Sequence, residues 1–310
     1  MPKRFEYIAE SESNFPKMKK NILITVDVED WFQVENFKPW IPYGSWDAKE
    51  LRVEDNIHRL LDLFDAISGQ IVSEPVKATF FVLGWIARKR PNLVRLIQQR
   101  GHEIASHGLD HHLCTDLSFD LLKKDMMESK KLLEDITGEP VVGYRAPSFA
   151  VTASILDMVG ESGYLYDSSY NSFDRHDRYG HLDLSEARQN GIAYELSDMF
   201  FELPVSNLKL ADQIIPWGGG GYFRLIPYPV FMKGVKAILA RDDAYLFYMH
   251  PWEIDPGQPR VKQASVMARF RHYNNLRGAY SKLSRMMSGL QPHRFFTCHE
   301  YIKSIKMNKG

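Results

Sequence analysis

The chain has 310 residues with 39 Lys+Arg against 39 Asp+Glu, so its formal net charge is zero. That balance argues against the dense basic surface of a nucleic-acid binder and supplies no field toward an anionic membrane. With 44% hydrophobic and 25% charged residues, the composition is that of a globular protein of one large domain or two ordinary ones.

Residues 1–19 are polar, lack an apolar core, and read as a frayed terminus rather than a signal peptide. No later run approaches the roughly 18 apolar residues of a membrane helix, so a cytoplasmic protein with no transmembrane segment is expected. Asn21–Val28 (NILITVDV) reads as a strand, and the spacing of Ile57, Leu60, Leu61 and Phe64 predicts a helix over Val53–Ile67. Val76–Leu83 is a second strand, Pro91–Arg100 a helix closed by Gly101, and His102–Ser106 a third, short strand. Phe119–Thr137 is an amphipathic helix stopped by Gly138 and Pro140, with Cys114 just before it. Cys114 and the distant Cys298 form no CxxC pair and read as two buried thiols.

Val141–Tyr144 is a further strand, and Thr152–Ser162 a helix with Thr152 as its N-cap. Tyr164–Tyr166, Phe200–Val205 and Ala244–Met249 read as strands, with Pro229–Leu239 helical before the last. Gly218–Gly221 lacks the Gly-Lys-Ser/Thr that completes a phosphate loop, so a flexible active-site or turn element is the better reading. After the proline-bounded loop 251–260, basic amphipathic helices are expected at Ala264–Leu276 and Tyr280–Ser288, then the strand-like Phe295–Thr297. No flexible linker separates this tail, so residues 20–310 read as one domain with 251–310 as an extension. The tail helices could cover the barrel, contact a membrane surface or form a homodimer, and covering is the first choice.

Alternating β and α units of this length imply a mainly parallel sheet, open or closed into a barrel. Asp27, His107, Arg145, Asp167 and His250 all fall at or just beyond predicted strand ends, where parallel α/β architectures gather their sites. Ser106-His107-Gly108-Leu109-Asp110-His111 carries imidazoles at i and i+4, which converge on one metal ion if the backbone there turns helically. The acidic cluster Asp27-Val28-Glu29-Asp30 can add an oxygen ligand and a base. Carboxylate plus two histidines suits zinc or another divalent first-row metal and points to a hydrolase. His102 and His112 are off that spacing and read as surface or supporting residues.

His107 to His111, Arg145-Ala146-Pro147-Ser148-Phe149 and Tyr248-Met249-His250 occur in the order and spacing of the polysaccharide deacetylases, the carbohydrate esterases of family four. ITVDVEDWFQV, GGGGYFRLIPY and HPWEIDPGQPR look more like a bacterial subgroup encoded beside exosortase and exopolysaccharide clusters. The resemblance spans Asn21 to Ile305. It implies an α/β fold, a distorted (β/α) barrel with fewer than eight complete units and a C-terminal helical extension. It also implies N-deacetylation of an acetamido sugar in surface polysaccharide biosynthesis.

By that resemblance, His107 and His111 are metal ligands, Asp27 is the base that takes a proton from water, and His250 is the acid that protonates the leaving amine. Arg145 pairs with Asp27 and orients it, presented by a turn that Pro147 fixes. The commonest pattern places a metal-binding aspartate directly after the base, where this chain has Val28. Glu29, on the same strand face as Asp27, is the first choice as acidic ligand and Asp30 the alternative. The cofactor is then a divalent metal, zinc foremost, and a metal-free site is a minor alternative. Asp167 either lies near His250, where it could raise its pKa, or is a turn residue, and Trp31, Phe32, Trp217, Tyr222 and Trp252 either line a glycan groove or pack in the core. The substrate would be an acetamido sugar linked to a nucleotide, lipid or polymer. Two other readings stay open: hydrolysis of another small amide, as in allantoinase-like or deformylase-like relatives, and a non-catalytic carbohydrate-binding barrel.

Overall fold

Strand β1 (Asn21–Val28) sends its side chains to two different cores. Ile22, Ile24, Val26 and Val28 pack outward under the helices, whereas Leu23 joins an inner cluster with Phe81, Ala105, Tyr166, Phe201 and Leu246 of other strands. A strand buried on both faces needs an almost unbroken apolar run, and NILITVDV supplies one. Thr25 and Asp27 are the exceptions, and both share the inward face with Leu23. The computed structural model describes residues 19–70, 75–173, 182–291 and 293–307. The expected frayed terminus falls, but for residue 19, outside the described residues.

The parallel part of the sheet continues through β2 (Ala78–Val82), β3 (Glu103–Ser106), β4 (Gly143–Tyr144) and β5 (Tyr166–Asp167). Three strands follow, β6 (Arg188–Asn190), β7 (Ala193–Ser197) and β8 (Phe200–Glu202), then the hairpin β9 (Asn207–Leu210) and β10 (Gln213–Pro216). β11 (Ala244–Met249) and the short β12 (Arg294–Phe295) complete the set. The main sheet has the order β11-β1-β2-β3-β4-β5-β8-β7-β6, with β12 also on β1. Every neighbour pair from β11 to β8 is parallel, and β6–β7–β8 are antiparallel.

The helices are α1 (Val53–Gln70), α2 (Gly84–Lys89), α3 (Pro91–Gln99), α4 (Phe119–Thr137), α5 (Ala153–Glu161), α6 (Gly220–Leu225), α7 (Tyr228–Arg241), α8 (Val266–Tyr273), α9 (Leu276–Gly289) and α10 (Cys298–Met307). Between β8 and β11 the wall is made by irregular chain: Ser206 N donates to Leu246 O at 3.3 Å and Tyr248 N to Gly218 O at 2.7 Å. The result is the expected distorted, incomplete (β/α) barrel. Helix α10 plugs its floor. Cys298, Tyr301, Ile302 and Ile305 enter the inner cluster, and Cys298 N donates to Thr79 Oγ1 at the start of β2.

The expected helix limits at Phe119–Thr137 coincide with α4, which ends on Gly138 at φ 72°. Thr152 caps α5 by accepting from Ile155 N. Helix α10 was not anticipated, because its apolar positions are few and its start follows directly on an aromatic, strand-like run. The antiparallel β6–β7 and the β9–β10 hairpin were also unanticipated, their half-exposed residues giving no clean alternation.

Candidate active site

Four of the parallel strands deliver a polar side chain at the open end of the barrel. β1 delivers Asp27. His107 and Arg145 directly follow β3 and β4, and His250 directly follows β11. The expectation of a strand-end position holds for these four and for Asp167, the last residue of β5.

Glu29, His107 and His111 place ligand atoms within 4.8 Å of one another, all three buried. His107 Nδ1 lies 2.8 Å from Arg145 O. A carbonyl only accepts, so that nitrogen carries the proton and Nε2 keeps its lone pair for a cation. Burial pushes His107 down to about 4, so it is neutral near pH 7. His111 Nε2 is 2.7 Å from Glu29 Oε2, and both side chains are buried. Burial raises Glu29, but the charges of His111 and His250 outweigh it and bring the carboxyl down to about 2. Two imidazoles and an ionised carboxylate fit a divalent cation.

The imidazoles do not converge through a helix. Residues 107–111 are irregular, Gly108 sits at φ 73° and His111 at φ 57°, and the rings end 5.5 Å apart. The loop is held from outside: Gly84 N donates to Gly108 O, Trp85 N to Leu109 O, and Leu109 N to Asp125 Oδ1 of α4. A left-handed non-glycine residue is costly, and strain of this kind is kept at functional sites.

Asp30 is corrected as the alternative ligand. Its Oδ1 accepts from Trp31 N, and its Oδ2 accepts from Arg52 N and Val53 N at 2.7 and 2.9 Å. The carboxylate is spent on orphan donors at the start of α1, away from the imidazoles. Asp167 is corrected too. It accepts from Ser169 N and Oγ and is bonded to Glu202, whereas His250 Nδ1 bonds Glu253 Oε1 at 3.0 Å. Glu253 is the partner that sequence reasoning missed; the signal was its i+3 position in His-Pro-Trp-Glu.

Arg145, fully buried, donates to Thr25 Oγ1, Asp27 Oδ1, Ser168 O and Ser168 Oγ. Asp27 Oδ2 lies 4.0 Å from His250 Nε2, which is 3.3 Å from Glu29 Oε1. Burial lowers His250, but Glu29, Glu253 and Asp27 together lift it to about 9. After Pro147, Ser148 and Phe149 both take positive φ, 55° and 60°, and line the cleft.

The glycine tract is not a flexible element. A Cβ on Gly218 would come within 2.7 Å of Ser206 O, one on Gly219 within 2.8 Å of the Tyr248 ring, and one on Gly220 within 2.3 Å of Glu253 Oε1. Close approach explains Gly218, Gly219 and Gly220, whereas a Cβ on Gly221 meets nothing within 4 Å. Of the aromatic candidates, Tyr222 and Trp252 line the cleft, while Trp31, Phe32 and Trp217 are core. His112 is exposed and stacks on Tyr43, but His102 is buried between Phe64 and Phe80 rather than at the surface. The cleft over these groups holds about 360 Å³.

The rim of the barrel collects three residues that could hold a metal ion, an arginine-held carboxylate and a carboxylate-held imidazole, the kinds of group that metal-assisted hydrolysis uses. Residues 63–166 match the family model described as Polysaccharide deacetylase, and residues 168–303 match a domain of unknown function (DUF3473). The match to that family model thus covers residues 63–166 of this chain. A Bacillus cereus peptidoglycan-N-acetylglucosamine deacetylase is 31% identical over 88 residues, which are 28% of this chain and 41% of that protein. A chitooligosaccharide deacetylase of Azorhizobium caulinodans is 34% identical over 87 residues, again 28% and 41%. The chain thus spans under half the length of these curated relatives. In fold, it is similar to a candidate polysaccharide deacetylase from Mycobacterium smegmatis, with a TM-score of 0.59 at 19% identity over 95% of this chain and 93% of that one.

Proposed function

We propose that the chain is a divalent-metal-dependent hydrolase that removes the N-acetyl group of an acetamido sugar during surface polysaccharide biosynthesis. The observation that carries this reading is the approach of Asp27 Oδ2 and His250 Nε2, 4.0 Å apart, beside the Glu29, His107 and His111 donors. Those three residues would hold the cation, with zinc suited to the nitrogen-rich set. When bound, a divalent cation supplies Lewis acidity that polarises an acyl oxygen and acidifies water.

The protein's own groups do the rest. Asp27 is locked by Arg145 through Oδ1 and keeps Oδ2 free, so it can take the proton of the water that adds to the acetamide carbon. His250 carries its second proton on Nε2, because Nδ1 is engaged by Glu253. It gives that proton to the sugar nitrogen as the C–N bond breaks, leaving acetate and a free amine. Trp252 walls the site behind His250, its ring stacked on the imidazole at 5.1 Å.

The test is acetate release from acetamido-sugar donors, with and without chelator, in wild type and Asp27→Asn. Release lost on chelation and in the variant supports the reading. Turnover restricted to small ring amides, or binding without turnover, would replace it with one of the other two.

A further inference from the structure

Resting on the deacetylase reading, we propose that the substrate is an acetamido sugar joined through a phosphate to an apolar chain, read by Arg271 together with Tyr222, Leu225, Met267 and Phe270. All five residues line the same cleft as Asp27 and His250. In α8, Met267, Phe270 and Arg271 stand at i, i+3 and i+4 and share one face, while Ala268 and His272 are buried on the other. In α6, Tyr222 and Leu225 likewise share a face at i, i+3. The exposures are 60% for Met267, 53% for Phe270, 50% for Leu225 and 36% for Tyr222. Single exposed apolar residues are ordinary, but four converging on one cleft mark a binding surface.

Charge supplies the second argument. Of the other charged residues on this cleft, Asp27 pairs with Arg145, Glu35 with Lys38, and Arg224 with Glu253. Glu29 belongs, with His107 and His111, to the group that would hold the cation. Among the described residues, Arg271 is the cation lining the cleft whose guanidinium has no carboxylate partner. A planar, permanently charged guanidinium suits phosphate oxygens, which a neutral glycan lacks. Leu225 and Met267 offer neither a ring to stack on a sugar nor a hydrogen bond, so their natural counterpart is hydrocarbon. Phosphate alone would fit a nucleotide as well; the aliphatic wall decides for a lipid-borne sugar.

The experiment compares three donors on the full chain: an N-acetylglucosamine diphosphate bearing a farnesyl chain, UDP-N-acetylglucosamine, and neutral di-N-acetylchitobiose. Acetate release and equilibrium binding are both measured. The proposal expects kcat/KM for the farnesyl diphosphosugar at least tenfold above the other two. Arg271→Gln should raise KM about tenfold for both phosphate-bearing donors, whereas Met267→Ser with Phe270→Ser should raise it for the farnesyl donor only. Equal turnover of the neutral sugar or of the nucleotide sugar overturns the proposal, as does indifference of the farnesyl donor to either variant. If no donor releases acetate, the readings separate through binding. Tight farnesyl-donor binding that both variants weaken sustains this inference and sinks deacetylation; no binding sinks this inference.

Discussion

Arg145 donates to Asp27 Oδ1 at 2.7 Å from a side chain that is fully buried, and the carboxylate it holds is 2% exposed. Three more donations, to Thr25 Oγ1, Ser168 O and Ser168 Oγ, leave the guanidinium one orientation. Removing one member of a buried pair strands the other's charge. Arg145→Met is therefore expected to destabilise the fold by about 3–5 kcal/mol. The double variant Arg145→Met/Asp27→Asn should recover part of that loss, since no uncompensated charge remains. Urea unfolding of the three proteins checks this, and equal stability of single and double variants would contradict it.

Glu29 and Asp30 are adjacent carboxylates with opposite assignments. Glu29→Gln is expected to abolish stoichiometric metal uptake, measured by elemental analysis after dialysis. Asp30→Asn should keep the metal but cost about 1–2 kcal/mol, because it weakens acceptors for the first N–H groups of α1. Metal retained by the Glu29 variant and lost by the Asp30 variant would reverse the assignment.

Gly220 and Gly221 separate close packing from loop mobility. Gly220→Ala puts a methyl about where Glu253 Oε1 lies, so it must push Glu253 off His250. A loss of about 1–3 kcal/mol and a large fall in turnover are expected. Gly221→Ala meets nothing within 4 Å inside α6 and should stabilise by about 0.5–1 kcal/mol. Thermal melts and steady-state rates of both variants decide it; a harmless Gly220→Ala would restore the flexible-loop reading.

Much of this arrangement was legible before any coordinates. Strand identity was, because a parallel barrel strand such as NILITVDV is apolar on both faces, and its lone polar inward residues stand out against that run. Asp27, His107, Arg145 and His250 could be assigned to the rim for that reason. What stayed hidden depends on where chains meet. Asp30 looks like Glu29 in sequence, and only the position of the α1 start shows where its oxygens point. The His107–His111 convergence was right in outcome and wrong in cause, since helical spacing and a left-handed loop give the same pair. Glu253 and Gly220 are one feature seen from two sides, a close approach that only the packed barrel reveals.

His102 sets an acid limit on the fold that is independent of the site. Its Nδ1 accepts from Ala78 N, so the neutral ring is the form that fits. Burial against Phe64 and Phe80 pushes it down to about 4 from an ordinary 6.5. A histidine depressed on folding takes up its proton more readily in the unfolded chain. Its contribution is therefore fully present above pH 6.5 and is lost as pH falls toward 4. The loss attributable to this residue is about 2–3 kcal/mol across that window. His102→Asn keeps an acceptor for Ala78 N without a proton to gain. Its stability measured by urea titration should fall less than that of wild type between pH 6.5 and 4.5. Parallel curves for the two proteins would show that the ring does not titrate with unfolding.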